Sequence, residues 1–79
     1  MNRFILYGTL GCHLCEEAEA LLLPLLAEYP SEIECIDISD DEQLLLRYAE
    51  TIPVLLRVID GAELNWPITA ERARAFLRE

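Results

Sequence analysis

The sequence predicts an α/β domain in which a mixed four-stranded sheet is flanked by three helices, in the order β-α-β-α-β-β-α. Two observations support this prediction. An apolar run is twice followed by a helical pattern, and an Asp-Gly pair lies between apolar segments near the C-terminal end. The 79 residues are 53% hydrophobic, with mean hydropathy +0.22, which suits one domain with an apolar core. We therefore treat residues 1–79 as a single domain.

The first three elements are a strand, a helix and a strand. Phe4–Tyr7 is a continuous apolar run, as in a strand buried on both faces. From Cys12 onward apolar side chains recur at helical spacing, and the helix must kink at Pro24 or end near Leu23. Ile33–Ile38 is rich in β-branched residues and predicts the second strand, parallel to the first.

The remaining elements are a short helix, a hairpin and a last helix. Residues 39–41 suit an N-cap, and Gln43–Tyr48 continues as a helix that ends around residue 50. Val54–Ile59 predicts a third strand, the pair 60–61 a tight turn, and Ala62–Asn65 an antiparallel return. Thr69 suits the cap of the last helix.

Charge excludes several classes of partner. Six Arg and no Lys face fifteen Asp and Glu, which gives a net charge of -9. Such a chain repels nucleic acid and anionic membranes, so we expect neither as a partner. The apolar runs are too short for a membrane span or a secretory signal. We expect a cytoplasmic protein with reduced thiols.

Cys12 and Cys15 form a C-x-x-C placed after a predicted strand and at a predicted helix start. This context is typical of a redox dithiol. Free backbone N–H groups and the helix dipole favour the thiolate at Cys12, which is therefore the expected nucleophile. Cys15, one turn later, is placed to attack a mixed disulfide on Cys12 and is the expected resolving thiol.

The third cysteine and the histidine are less informative. Cys35 lies in the middle of a predicted strand, where we expect a buried structural thiol outside the mechanism. His13 either adds positive charge near Cys12 when protonated or is a solvated turn residue.

The whole pattern resembles the glutaredoxins. The residues that carry the resemblance are Tyr7-Gly8-Thr9 at the end of the first strand, the C-x-x-C, and Thr51-Ile52-Pro53-Val54, which begins 39 positions after Cys12. More narrowly, Cys12–Ala18 resembles a small bacterial glutaredoxin-like family. The resemblance implies a thioredoxin-like fold, a cis peptide before Pro53, and contact between substrate and the backbone of Thr51 and Ile52.

The sequence departs from the glutaredoxin pattern where glutathione would bind. His13 and Leu14 replace the usual Pro-Tyr, and they join Thr51, Ile52 and Pro53 as substrate-binding candidates.

No Lys or Arg stands just before Cys12, so Arg47 is the cation we expect near the site. At the start of the last helix, residues 65–69 replace the Gly-Gly motif of the glutaredoxins. Thr69 and the N-terminus of this helix could still hold a carboxylate.

Three functional hypotheses remain. The first is a dithiol–disulfide oxidoreductase that acts on protein or low-molecular-weight disulfides, holds no bound cofactor, and takes electrons from glutathione or a flavin-dependent reductase. The second is an iron–sulfur or zinc module that uses Cys12 and Cys15, although we assign no metal ligand. The third is a redox-inactive docking domain with the same fold.

Overall fold

The central strand of the sheet is β1 (Asn2–Gly8), in a computed structural model that describes residues 2–78. The strand order is β2-β1-β3-β4. The other strands are β2 (Ser31–Asp37), β3 (Val54–Arg57) and β4 (Glu63–Leu64). β1 pairs in parallel with β2 and antiparallel with β3, and β3 pairs antiparallel with β4. The predicted mixed sheet is confirmed.

Three α-helices lie on the two faces of the sheet. They are α1 (His13–Glu28), α2 (Glu42–Tyr48) and α3 (Ala70–Arg78), and a short 3-10 helix at Ile38–Asp40 precedes α2. The Asp41 carboxylate caps α2 by accepting from the N–H groups of residues 43 and 44. The predicted arrangement of three helices around the sheet is confirmed.

Alternate side chains of β1 supply two separate cores, as the period of two along a strand requires. Phe4 and Leu6 pack with α1 and α3, while Tyr7 packs on the other face with α2. The members of the first core are Phe4, Leu6, Leu22, Leu25, Leu55, Leu64, Ala73, Phe76 and Leu77. The second core consists of Tyr7, Ile38, Tyr48 and Val54. β1 is therefore buried on both faces.

The structure decides between the two alternatives at Pro24 and moves the end of one strand. α1 does not end near Leu23 but continues through Pro24 to Glu28. Pro24 is exposed, so water can serve the backbone carbonyl whose hydrogen bond the proline ring removes. The second strand ends at Asp37 rather than Ile38, since Ile38 turns into the 3-10 helix and is fully buried.

The loop between β3 and β4 is longer than the two-residue turn that the Asp-Gly pair predicts. The contacts of Arg57 account for this longer loop. The N–H of Arg57 donates to the carbonyl of Ala62 at 2.8 Å, so residues 58–61 form the loop. The Arg57 side chain is buried and donates to the Asp60 carboxylate at 3.0–3.1 Å and to the Phe76 carbonyl at 3.0 Å. These bonds hold the pKa of Asp60 below its usual range. Arg57 thus ties the hairpin to α3.

We predict that Arg57→Lys lowers the free energy of unfolding by about 1–3 kcal/mol, because lysine cannot reproduce the forked hydrogen bonds to Asp60 and Phe76. Urea denaturation measures the loss. Arg74→Lys is the matched control, since Arg74 is exposed and lies 3.8 Å from exposed Glu28. Equal losses in the two variants would contradict the role assigned to Arg57.

Candidate active site

Cys12 and Cys15 are joined by a disulfide at the start of α1. Their sulfurs lie 2.21 Å apart and their Cα atoms 5.2 Å apart. Cys12 is the N-cap residue, and its Sγ accepts a hydrogen bond from the N–H of Cys15 at 3.1 Å. Cys12 is half-buried, whereas Cys15 is 7% exposed. The outer sulfur is therefore the one that a partner molecule can reach.

The position of Cys15 depends on a glycine at the end of β1. A Cβ atom placed on Gly8 would lie 3.0 Å from both Cβ and Sγ of Cys15. Only a residue without a side chain leaves Cys15 this space. In the sequence, Gly8 stands out only as part of the Tyr7-Gly8-Thr9 segment, and a glycine at a strand end before a C-x-x-C is a signal of close packing.

His13 lies on the exposed side of the C-x-x-C, beside two acids. Its Nδ1 is 4.0 Å from Glu16 and its Nε2 is 3.9 Å from Glu17. The His13 side chain is 81% exposed. A protonated His13 would be paired within the first turn of the helix, so its charge would be shared with these carboxylates rather than directed at Cys12 alone.

The structure brings together Leu14, Thr51 and Ile52, three of the residues predicted to bind substrate. They line a hollow of about 340 Å³, together with Glu50, Asn65 and Trp66. The N–H groups of Thr51 and Ile52 both donate to the Tyr48 carbonyl. Backbone pairing of Ile52 with a substrate would therefore use its carbonyl unless this bond opens.

A second hollow, of about 350 Å³, adjoins the first and shares Leu14 and Trp66 with it. It is lined further by residues of α1 and by the segment 67–70, which includes Thr69. Thr69 caps α3, since its Oγ1 accepts from the N–H of Arg72 at 3.2 Å. Trp66 is 54% exposed. The sequence analysis assigned it no role at the site, because only the fold places it beside Leu14.

Pro53 and Arg47 lie outside both hollows. Pro53 is fully buried and follows a cis peptide bond, and Trp66–Pro67 is also cis. Arg47 lies over the Tyr48 ring at 5.3 Å and has its Nη2 3.9 Å from Glu63. The Tyr48 hydroxyl donates to Glu63, and burial followed by this bond raises the pKa of Tyr48 to about 12. Arg47 therefore belongs to a contact between α2 and β4.

The prediction that Cys35 is buried is wrong. Cys35 is an exposed free thiol, because β2 is an edge strand and the helices leave this part of its face open. It lines a cleft of about 320 Å³ that Cys15 also lines from the other side. The acidic residues of this cleft are Glu16, Glu19 and Asp37.

Two groups that line this cleft have shifted pKa values. Partial burial and then the charge of Glu19 raise the pKa of the Cys35 thiol. Hydrogen bonds from Ser39 lower the pKa of Asp37 and keep its carboxylate charged. Within residues 2–78, no three His, Cys, Asp or Glu side chains are grouped so that they could hold a metal ion.

The chain matches a known protein family over almost its whole length. Residues 3–78 match the family described as Glutaredoxin-like domain (DUF836). The chain belongs to this glutaredoxin-like family. The resemblance drawn from the C-x-x-C and the Thr-Ile-Pro segment is thereby confirmed, as is the thioredoxin-like fold. No curated protein matches the sequence.

Solved structures of two bacterial proteins are similar over nearly the whole glutaredoxin-like chain. The crystal structure of Northeast Structural Genomics target protein XcR50 from X. campestris is 36% identical, with a TM-score of 0.79 and 95% of each chain covered. The solution NMR structure of protein Ne2328 from Nitrosomonas europaea is 34% identical, with a TM-score of 0.80, and the match covers 95% of this chain and 89% of that one.

A third structure, described as that of a malarial protein, shares the fold at 12% identity, with a TM-score of 0.77 over 99% of this chain and 94% of that one. In the part of the glutaredoxin-like chain that the structure describes, no helix combines the length and the apolar character needed to cross a bilayer.

We predict that Gly8→Ala weakens the Cys12–Cys15 disulfide, because the added methyl group must displace Cys15 or the end of β1. Equilibration in glutathione buffers, followed by alkylation and mass measurement, should show a larger reduced fraction at every buffer ratio.

Gly61→Ala is the control for this variant. Gly61 has φ +75, and no atom lies within 4 Å of the position that its Cβ would take. The substitution should therefore lower stability through backbone strain alone, without touching the dithiol. An unchanged redox equilibrium in Gly8→Ala would refute the packing argument.

We predict that Cys35 reacts slowly with iodoacetamide in the oxidised protein, where it is the free thiol. Its raised pKa leaves less thiolate at neutral pH, so the midpoint of the rate against pH should lie above that of a cysteine peptide. Glu19→Gln should speed the reaction about two- to five-fold near neutral pH by removing a nearby negative charge. Glu71→Gln on α3 is the control, and an equal effect there would exclude a local cause.

Proposed function

We propose that this protein is a dithiol–disulfide oxidoreductase in which Cys12 is the nucleophile and Cys15 the resolving thiol. The observation that carries the proposal is the asymmetry of the pair. Cys12 is the more accessible sulfur at the helix N-cap, whereas Cys15 is buried against Gly8 and bonded to Cys12. This is the arrangement that a two-step exchange requires.

The reaction balances with two thiols and one substrate disulfide. The Cys12 thiolate attacks one substrate sulfur, the substrate S–S bond breaks, and the first substrate thiolate leaves and takes up a proton. Cys15 then loses its proton and attacks Cys12 Sγ, so that the mixed disulfide breaks and the second substrate thiol departs. Two electrons pass from the protein dithiol to the substrate, and the protein is left with the Cys12–Cys15 disulfide.

Backbone groups at the helix start support the role of Cys12. In the disulfide, the N–H of Cys15 points at Cys12 Sγ at 3.1 Å, and the same donor would stabilise a thiolate there. Glu16 and Glu17 oppose negative charge on Cys12, and His13 offsets them only when it is protonated.

The substrates we propose are protein or low-molecular-weight disulfides, which would meet Cys12 from the side of Leu14, Thr51 and Ile52. The reduced dithiol would be regenerated by glutathione or by a flavin-dependent reductase, in each case by thiol–disulfide exchange that requires no cofactor bound to this chain. We place the protein in the cytoplasm, where such reductants keep thiols reduced.

We predict that Cys12→Ser abolishes exchange with bis(2-hydroxyethyl) disulfide, because the accessible attacking sulfur is gone. Cys15→Ser should instead accumulate a mixed disulfide on Cys12, because no internal thiol resolves it. Mass measurement after acid quenching distinguishes the two variants. Cys35→Ser is the control and should exchange at a rate close to that of the unaltered protein.

Redox titration of the unaltered protein in glutathione buffers tests the same proposal at equilibrium. A two-electron transition between about -200 and -270 mV, the range of glutaredoxins and thioredoxin, is the expected result. Failure to form an intramolecular disulfide, or full activity in Cys12→Ser, would overturn the proposal.

A further inference from the structure

An exposed groove runs away from the C-x-x-C and is built around one tryptophan. We use the name Trp66 groove for the two adjoining hollows that share Leu14 and Trp66. One hollow extends toward Thr51 and Ile52, and the other extends along α1 toward the start of α3. Leu14, which stands between the two cysteines in sequence, connects this groove to the C-x-x-C, although neither cysteine lines either hollow.

Apolar side chains form the middle of the Trp66 groove. Leu14 is 41% exposed and Trp66 54% exposed, and both line the two hollows, so they form one continuous apolar surface of the kind that marks interaction sites. Half-buried Ile52 and Ile68 extend this surface in the two hollows. The groove can therefore bury an apolar side chain of a bound molecule.

The charged side chains that line the groove are both acidic. Glu50 lies in one hollow and Glu17 in the other. No arginine of the described chain lines either hollow. The groove therefore presents an apolar centre between two carboxylates.

The arginines nearest in sequence to these segments are held by other groups. Arg72 follows the groove segment 65–67, and its Nη1 donates to the carbonyls of Asn65 and Pro67. Arg47 precedes Thr51, and it is paired with Glu63 and placed over Tyr48. Neither of these guanidinium groups lines the groove, so the charged groups that a seated ligand meets directly are the two carboxylates.

We propose, on the basis of the oxidoreductase function proposed above, that the Trp66 groove selects peptide disulfides with a cationic and an apolar side chain beside the cysteine. The apolar side chain would contact Trp66 and Leu14, and the lysine or arginine would face Glu17 or Glu50. Glutathione disulfide fits poorly, because it carries more carboxylates than amines and meets the acidic ends of the groove. The substrate of this site is a basic polypeptide disulfide.

The first test compares three small disulfides as oxidants of the reduced protein. Cystamine is cationic, bis(2-hydroxyethyl) disulfide is neutral, and glutathione disulfide is anionic. Each rate is divided by the rate of the same disulfide with dithiothreitol, which removes differences in intrinsic reactivity. We expect cystamine to exceed glutathione disulfide at least about tenfold at low ionic strength, and the ratio to shrink as salt is added.

The second test uses charge-matched variants. Glu50→Gln should reduce the preference for cystamine about two- to five-fold. Glu34→Gln removes the same charge from the edge strand β2, outside the groove, and should leave the preference unchanged.

The third test uses the disulfides of blocked tripeptides. Arg-Cys-Leu should react faster than Arg-Cys-Ser and Glu-Cys-Leu, and Trp66→Ala should abolish the advantage of Leu over Ser.

The outcomes separate the two proposals. If exchange occurs with equal normalised rates for all disulfides, or fastest with glutathione disulfide, the charge selection is overturned while the oxidoreductase function stands. The apolar part is overturned if Trp66→Ala leaves the peptide preference intact. Absence of exchange with every disulfide overturns the oxidoreductase function, and this inference with it.

Discussion

Double pairing of β1 is the constraint on which the rest of the structure depends. β1 bonds to β2 on one edge and to β3 on the other, and its alternate side chains enter the two cores. A strand that is fixed on both edges and both faces has little freedom to move. Its last residue, Gly8, pairs with Asp37 of β2 and approaches Cys15 closely, so the end of this strand positions the C-x-x-C.

The contact of Cys15 with the end of β1 gives the two cysteines different surroundings, although they are only three residues apart. Cys15 is enclosed by the end of β1 and the start of α1, while Cys12 caps the helix and remains accessible. In the proposed mechanism, burial rather than residue type would assign attack to Cys12 and resolution to Cys15. The same geometry explains why Leu14, which is exposed between the two cysteines, can join a groove shared with Trp66.

Arginines and carboxylates have different places in this chain. The chain has six arginines, and several of them hold separate elements together: Arg57 joins the hairpin to α3, Arg47 joins α2 to β4, and Arg72 holds the segment before α3. Arginine suits this task because one guanidinium can serve several acceptors. None of these arginines lines the Trp66 groove or the cleft of Cys35, where the charged side chains are acidic.

The amino-acid sequence was enough to predict the order of elements, the mixed sheet and the position of the dithiol, because these follow from local periodicity and from adjacent residues. The resemblance to the glutaredoxins indicated the family. Only the tertiary structure decided that Cys35 is exposed, that Gly8 touches Cys15, and that Trp66 lies beside Leu14. Each of these depends on which strand lies at an edge or on contacts between residues distant in the chain, and no local pattern encodes them. The longer hairpin loop has the same cause, since it is shaped by the bond of Arg57 to α3.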